Sequence, residues 1–109
     1  MQALVLESQG KLVLHEDRPV PPAPDERPAA LVRVAACGIC GSDLPRAYDG
    51  KAYHYPLVMG HEFSGVVEEP APGGRFGRGA RVAVFPLIPK NTETDPACQT
   101  GDFAQAAEY

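Results

Sequence analysis

Proline and glycine interrupt this chain so often that long helices have little room to form. The 109 residues include 12 prolines and 11 glycines, and both residue types mark turns and break regular structure. The apolar stretches between them are short and rich in valine and leucine, which is typical of strands. We therefore predict a mainly β fold with five or six short strands around one core, arranged as a small barrel or a sandwich and joined by short helical turns.

The positions of the strands follow from these apolar stretches. Residues 2–7 and 11–15 flank a short turn and predict a β-hairpin. The stretch 29–36 is apolar on both faces, which indicates a strand buried over most of its surface. Further strands are predicted at residues 62–69 and 80–85, and residues 105–109 could begin one more.

Three shorter features complete the predicted fold. Ser42 and Asp43 are placed to begin a short helical turn that closes near Gly50. Gly65 lies inside a predicted strand, where glycine marks a bulge or the close approach of another backbone. The proline-rich residues 18–24 are interpreted as an extended connector rather than a ligand for a recognition domain.

Composition and charge exclude several classes of function. The net charge is −4 and the ten lysines and arginines are scattered, which argues against a nucleic-acid or anionic-membrane surface. No apolar stretch approaches the length of a membrane span, and the N-terminus lacks the pattern of a secretory signal. We expect a single domain in the cytoplasm, with its three cysteines reduced.

Two clusters of chemically versatile residues stand about twenty positions apart: C-G-I-C-G-S-D at 37–43 and G-H-E at 60–62. Thiolate and imidazole are ligands that zinc favours, and a catalytic zinc keeps only three protein ligands so that one position stays open. The residues alone leave other interpretations open. These are a redox pair of cysteines, half of a structural zinc knuckle, and small residues of the core.

The segment A-C-G-I-C-G-S-D, followed by Y-P-L-V-M-G-H-E-F-S-G-V-V, resembles the zinc-dependent medium-chain alcohol and polyol dehydrogenases. C-G-S-D-L-P-R and G-H-E-F-S-G are most similar to the galactitol-phosphate and sorbitol dehydrogenase type, and the resemblance covers residues 1–89. It implies a GroES-like β-barrel domain of an oxidoreductase. In such an enzyme, zinc activates the hydroxyl of a small alcohol or polyol for hydride transfer to NAD or NADP.

The resemblance also implies a role for each residue of the two motifs. Cys40 and His61 would be zinc ligands, and Glu62 would lie beside the metal and exchange onto it. Ser42 would be the hydroxyl that relays the proton of the substrate. Asp43 would be the carboxylate that holds the histidine ligand.

One departure from the family concerns a second metal. Many relatives hold a structural zinc with four closely spaced cysteines, whereas the matching segment here retains only Cys98, and Lys90 and Ala106 stand at two of the other positions. One thiol cannot hold a tetrahedral site. We therefore expect one catalytic zinc, no structural zinc, and no function for the Cys98 thiol. The resemblance further implies that Cys37 is a buried structural thiol.

Another departure concerns the cofactor. The third zinc ligand of the family and its glycine-rich, dinucleotide-binding turn are expected beyond residue 109. The glycines at 74–79 have the wrong order for that turn and lead into a predicted strand. We expect the Rossmann domain to be absent from residues 1–109, the chain alone to lack dehydrogenase turnover, and any oligomer to form through the missing domain.

Two alternatives compete with this interpretation. A metal-free GroES-like binding or structural module, such as a co-chaperonin, would need a flexible apolar loop near residues 15–35, but residues 16–27 are proline-rich and acidic. A zinc-free relative of the quinone-reductase type would lack the pair of Cys40 and His61, so the presence of the pair argues against it.

Overall fold

The structure, a computed structural model, describes residues 1–22, 28–87, 89–90 and 92–106. Strands predominate over helices in these ranges, which confirms the predicted mainly β class. In chain order the elements are β1 (Ala3–Ser8), β2 (Lys11–His15), β3 (Leu31–Gly38), α1 (Asp43–Tyr48), β4 (Leu57–Val58), β5 (Glu62–Glu69), β6 (Arg81–Ala83), α2 (Pro96–Thr100) and a 3-10 turn at Phe103–Gln105.

The strands form two antiparallel sheets of three strands each, ordered β2-β1-β4 and β3-β5-β6. The predicted hairpin of β1 and β2 is confirmed. The predicted small β-barrel is not closed in the described residues, because closure requires the edge strands of one sheet to pair with those of the other. Here the edge strands of the first sheet, β2 and β4, do not pair with the edge strands of the second, β3 and β6.

The centre of the core lies on β1 and β5. Val5 and Leu6 are fully buried, and Val67 is 2% exposed. By contrast, β3 is mostly exposed, so the prediction of a strand buried over most of its surface is wrong. β3 pairs through one edge with β5, and its Val34 lines an open apolar cavity of about 500 Å³ instead of packing against another layer.

The first sheet fixes the helix that follows β3. In the hairpin turn, the Gly10 amide donates a hydrogen bond to the carbonyl of Ala47 (2.6 Å), and the Gln9 side-chain amide donates to the carbonyl of Tyr48 (2.6 Å). The Met59 amide donates to the carbonyl of Leu4 on β1 (2.9 Å). These bonds hold α1 and the segment before β5 against the same sheet.

The sequence interpretation missed β4 and α2. Helix α2 has a clear start, because the Asp95 carboxylate accepts a hydrogen bond from the Ala97 amide (2.9 Å) and Pro96 occupies the first turn. Gly101 ends it in the left-handed conformation, with φ of 85°. Gln105 lies in the 3-10 turn rather than at the start of a strand, and residues 107–109 lie outside the described residues.

The predicted proline-rich connector shows no regular structure at residues 18–22, and the rest of it lies outside the described residues. No helix in the parts of the chain that the structure describes has the length and apolar character needed to cross a membrane.

Candidate metal centre

Three potential metal ligands converge where β3 ends and β5 begins. Gly38, the last residue of β3, pairs with Glu62, the first residue of β5. This pairing brings the loop that carries Cys40 next to His61 and Glu62. One ligand atom from each of these three residues lies within 4.8 Å of the other two.

The donor set and its spacing fit a zinc ion. In a tetrahedral site, Zn–S distances of about 2.3 Å and Zn–N or Zn–O distances of about 2.1 Å separate the ligand atoms by roughly 3.5 Å. Small side-chain rotations would bring the three atoms to that spacing. Cys40 and His61 are half-buried and Glu62 is exposed, so the cluster combines two sheltered ligands with one that reaches solvent.

The carboxylate of Asp43 connects two of these residues. Oδ2 accepts a hydrogen bond from the Cys40 amide (2.9 Å), and Oδ1 lies 3.4 Å from Nδ1 of His61. Asp43 is only 8% exposed. Because the carboxylate favours a proton on Nδ1, the imidazole would offer Nε2 to a metal. The structure thus places the Asp43 carboxylate beside both Cys40 and His61.

Ser42 lies at the start of α1, directly beside the cluster. It does not cap the helix through its side chain; its hydroxyl instead donates to the Cys40 sulfur at 3.4 Å. Nη1 of Arg46 donates to the Ser42 hydroxyl oxygen (2.6 Å), and Nη2 donates to the Tyr53 hydroxyl (3.1 Å). Sequence reasoning missed Arg46, although its i,i+4 spacing from Ser42 on a predicted helical turn was a usable signal.

Cys37 does not have the environment that the resemblance implied. It is exposed, so the prediction of a buried structural thiol is wrong. The residue lines the open apolar cavity between the sheets, together with Gly60 and Asp43. Its thiol donates a hydrogen bond to the carbonyl of Gly38 at 3.6 Å.

Cys98 is the buried cysteine. It lies in α2, where burial raises the pKa of its thiol and the negative charge of Asp95 adds to the effect. Among the described residues, Cys98 is not part of any group of three potential metal ligands.

The chain matches the alcohol dehydrogenase GroES-like domain over residues 26–108. Galactitol 1-phosphate 5-dehydrogenase of Escherichia coli (strain K12) is 42% identical over 79 residues, which cover 72% of this chain and 22% of that enzyme. Sorbitol dehydrogenase of Gallus gallus is 39% identical over 107 residues, which cover 93% of this chain and 28% of that enzyme.

Solved structures show the same similarity. The crystal structure of galactitol-1-phosphate dehydrogenase from Escherichia coli aligns with a TM-score of 0.81 at 35% identity, over 100% of this chain and 31% of that chain. The cobalt- and zinc-bound thermostable alcohol dehydrogenase from Pyrobaculum aerophilum aligns with a TM-score of 0.73 at 30% identity, over 98% of this chain and 32% of that chain.

These matches are all to dehydrogenases, and the structural alignments extend over nearly the whole chain. The chain belongs to the alcohol dehydrogenase GroES-like domain family. The resemblance to galactitol-phosphate and sorbitol dehydrogenases, stated above from the two motifs, is thereby confirmed. The chain spans only 22% and 28% of the length of these two curated relatives.

Proposed function

We propose that this chain is the zinc-bearing part of an NAD- or NADP-dependent alcohol or polyol oxidoreductase. The observation that carries the proposal is the convergence of Cys40, His61 and Glu62 within 4.8 Å. The buried carboxylate of Asp43 supports it, because a second residue that fixes two ligands at once is typical of metal sites. The names of the relatives, which act on galactitol 1-phosphate and sorbitol, favour a small polyol as the substrate.

Zinc, when bound, would supply a Lewis acid for the oxygen of the substrate. Oxidation of an alcohol removes a proton from this oxygen and a hydride from the adjacent carbon. The hydride would pass to a nicotinamide, and the 109 residues contain no glycine-rich turn of the order that binds a dinucleotide. The Ser42 hydroxyl, whose hydrogen is donated to the Cys40 sulfur, is placed to accept the substrate's proton on its oxygen and pass it on to water.

The remaining residues would hold the metal. Cys40 and His61 would be permanent ligands, while the exposed Glu62 would exchange between the ion and solvent. Asp43 would keep His61 in the tautomer that presents Nε2. We propose a single zinc in this chain, since Cys98 stands apart from the ligand cluster among the described residues.

The test is the metal content of chelator-free protein, measured by plasma mass spectrometry. We expect about one zinc per chain in the wild type and a loss of most of it in the Cys40→Ser/His61→Ala double variant. Cys37→Ala and Cys98→Ala are matched controls, each of which removes one thiol outside the cluster. Zinc that persists in the double variant would refute the assigned ligands.

A metal-free GroES-like binding or structural module is the alternative, and the same measurement separates the two. Zinc that is bound by the wild type and lost in the double variant would exclude this alternative. Wild-type protein that takes up no zinc, even from a solution containing a slight excess of the ion, would show that Cys40, His61 and Glu62 do not hold the metal by themselves.

A further inference from the structure

The guanidinium of Arg46 holds Ser42 at two atoms. Nη1 donates to the hydroxyl oxygen at 2.6 Å and to the backbone carbonyl of the same residue at 3.0 Å. Both bonds span one turn of α1. Because they share one nitrogen, they fix the position of the serine side chain relative to its own backbone.

The other end of the guanidinium is held by Tyr53. Nη2 donates to the phenol oxygen at 3.1 Å, and the guanidinium carbon lies 5.2 Å from the centre of the ring. Asp43 adds an opposite charge 3.9 Å from Nη1. The Arg46 side chain is 23% exposed, although it belongs to a residue type that is normally solvated.

The donors and acceptors of the two side chains determine the direction of the Ser42 hydroxyl. A serine hydroxyl has one donor hydrogen and two acceptor lone pairs, whereas a guanidinium can only donate. The hydrogen therefore cannot point toward Arg46, and the Cys40 sulfur at 3.4 Å is the acceptor that the structure provides. Arg46 occupies one lone pair, which leaves the second lone pair free for the hydroxyl of a substrate.

We propose that Arg46 is a positioning residue that fixes the Ser42 hydroxyl, with its hydrogen directed at the Cys40 sulfur and one lone pair left open. The claim rests on the proposed function, because it concerns the orientation of the proposed proton acceptor. Only a planar fork of donors can contact the two oxygens of Ser42 and the Tyr53 phenol together. A lysine would keep the charge without that geometry.

The first measurement is the charge-transfer absorption from sulfur to cobalt in protein loaded with Co²⁺. A hydrogen bond to a thiolate stabilises the sulfur lone pair and raises the energy of this band. We expect Ser42→Ala and Arg46→Met each to shift the band to longer wavelength, and the double variant to show no additional shift. Arg46→Lys should behave like Arg46→Met. The affinity for Co²⁺ should fall on the order of 10-fold in each variant.

Arg33→Met is the matched control. Arg33 forms an ion pair with Glu68 at 2.9 Å on the exposed face of the second sheet. Its loss should leave the cobalt spectrum unchanged. A spectrum of Arg46→Met that superimposes on the wild type, while Ser42→Ala shifts it, would overturn the proposal. Full rescue by Arg46→Lys would also overturn it, because charge alone would then suffice.

A second measurement does not depend on the metal. In protein kept free of metal by a chelator, the urea midpoints of the wild type, Arg46→Met, Ser42→Ala and the double variant form a double-mutant cycle. If Arg46 positions Ser42, the effects of the two substitutions on stability are not additive. Additive shifts of the urea midpoint would overturn the proposal. Wild-type protein that binds no cobalt would refute the proposed metal centre, while this cycle would still decide whether Arg46 holds Ser42.

Discussion

The sulfur of Cys37 occupies the space where a side chain at residue 60 would begin. A Cβ atom built on Gly60 would lie 2.5 Å from this sulfur. Gly60 also has φ of 102°, a conformation that other residues adopt only with strain. Glycine at position 60, directly before His61, thus makes room for the Cys37 sulfur.

Substitution Gly60→Ala should therefore destabilise the fold by about 2–4 kcal/mol, from backbone strain together with overpacking. In the background Cys37→Ala, where the remaining Cβ of residue 37 would lie 3.9 Å away, about 1–3 kcal/mol should be recovered. Urea denaturation of the four proteins measures both values. If Gly60→Ala costs the same with and without the sulfur, steric contact is not the cause.

The buried carboxylate of Asp43 leads to a prediction about metal affinity. The Cys40 amide and Nδ1 of His61 face different oxygens of Asp43, and asparagine would replace one of these acceptors by an NH2 donor. We expect Asp43→Asn to weaken zinc binding by about 10- to 100-fold. Competition with a chromophoric chelator measures the change. Asp49→Asn, at the exposed end of α1, removes the same charge and should leave the affinity unchanged.

Much of the candidate centre could be predicted from sequence because its ligands lie in two short motifs next to strand ends. Strand β5 spans Glu62–Glu69 as predicted, and its pairing with β3 brings Cys40 toward His61. The positions of these ligands thus depend on local strand patterns. The contacts between Asp43 and the two ligands follow from the same few residues.

The features that sequence reasoning missed depend on tertiary contacts. The exposure of Cys37 depends on whether another layer covers β3, and an apolar pattern alone does not report this. The hydrogen bonds from Arg46 to both Ser42 and Tyr53 require the loop after α1 to fold back over the helix. Helix α2 is different, since Pro96 and Gly101 mark its ends in the sequence.

Close approach of two backbones at Gly65 leads to a prediction about the second sheet. A Cβ atom at this position would collide with the carbonyl oxygen of Arg33 and lie 2.8 Å from a methyl group of Val32. The sequence prediction of a bulge or close approach at Gly65 is confirmed. Because β3 cannot retreat without losing its pairing with β5, Gly65→Ala should cost about 3 kcal/mol or more.

Gly77→Ala is the matched control for this change. A Cβ atom at Gly77 would meet no atom within 4 Å, and its φ is not in the left-handed region. The control should therefore stay within about 0.5 kcal/mol of the wild type. Equal unfolding midpoints for the two variants would contradict the predicted collision.

The hairpin carries a pH-dependent contribution to stability. The Glu7 carboxylate lies 2.6 Å from the ammonium of Lys11 and 3.0 Å from Nε2 of His15. Hydrogen bonds from Lys11, and then from His15, hold the pKa of Glu7 below its ordinary value of 4.5. A lowered folded-state pKa stabilises the fold above the unfolded-state pKa, and this stabilisation disappears as the pH falls through the folded-state value.

We therefore expect Glu7→Gln to lower the urea midpoint at about pH 6, where the wild-type carboxylate is ionised in both states. The difference between wild type and variant should shrink as the pH falls below 4.5 and vanish once the folded protein also binds the proton. Glu16→Gln is the control, because Glu16 is an exposed carboxylate directly after β2. A difference for Glu7→Gln that stays constant down to about pH 2 would show that Glu7 stabilises the hairpin by packing rather than by its charge.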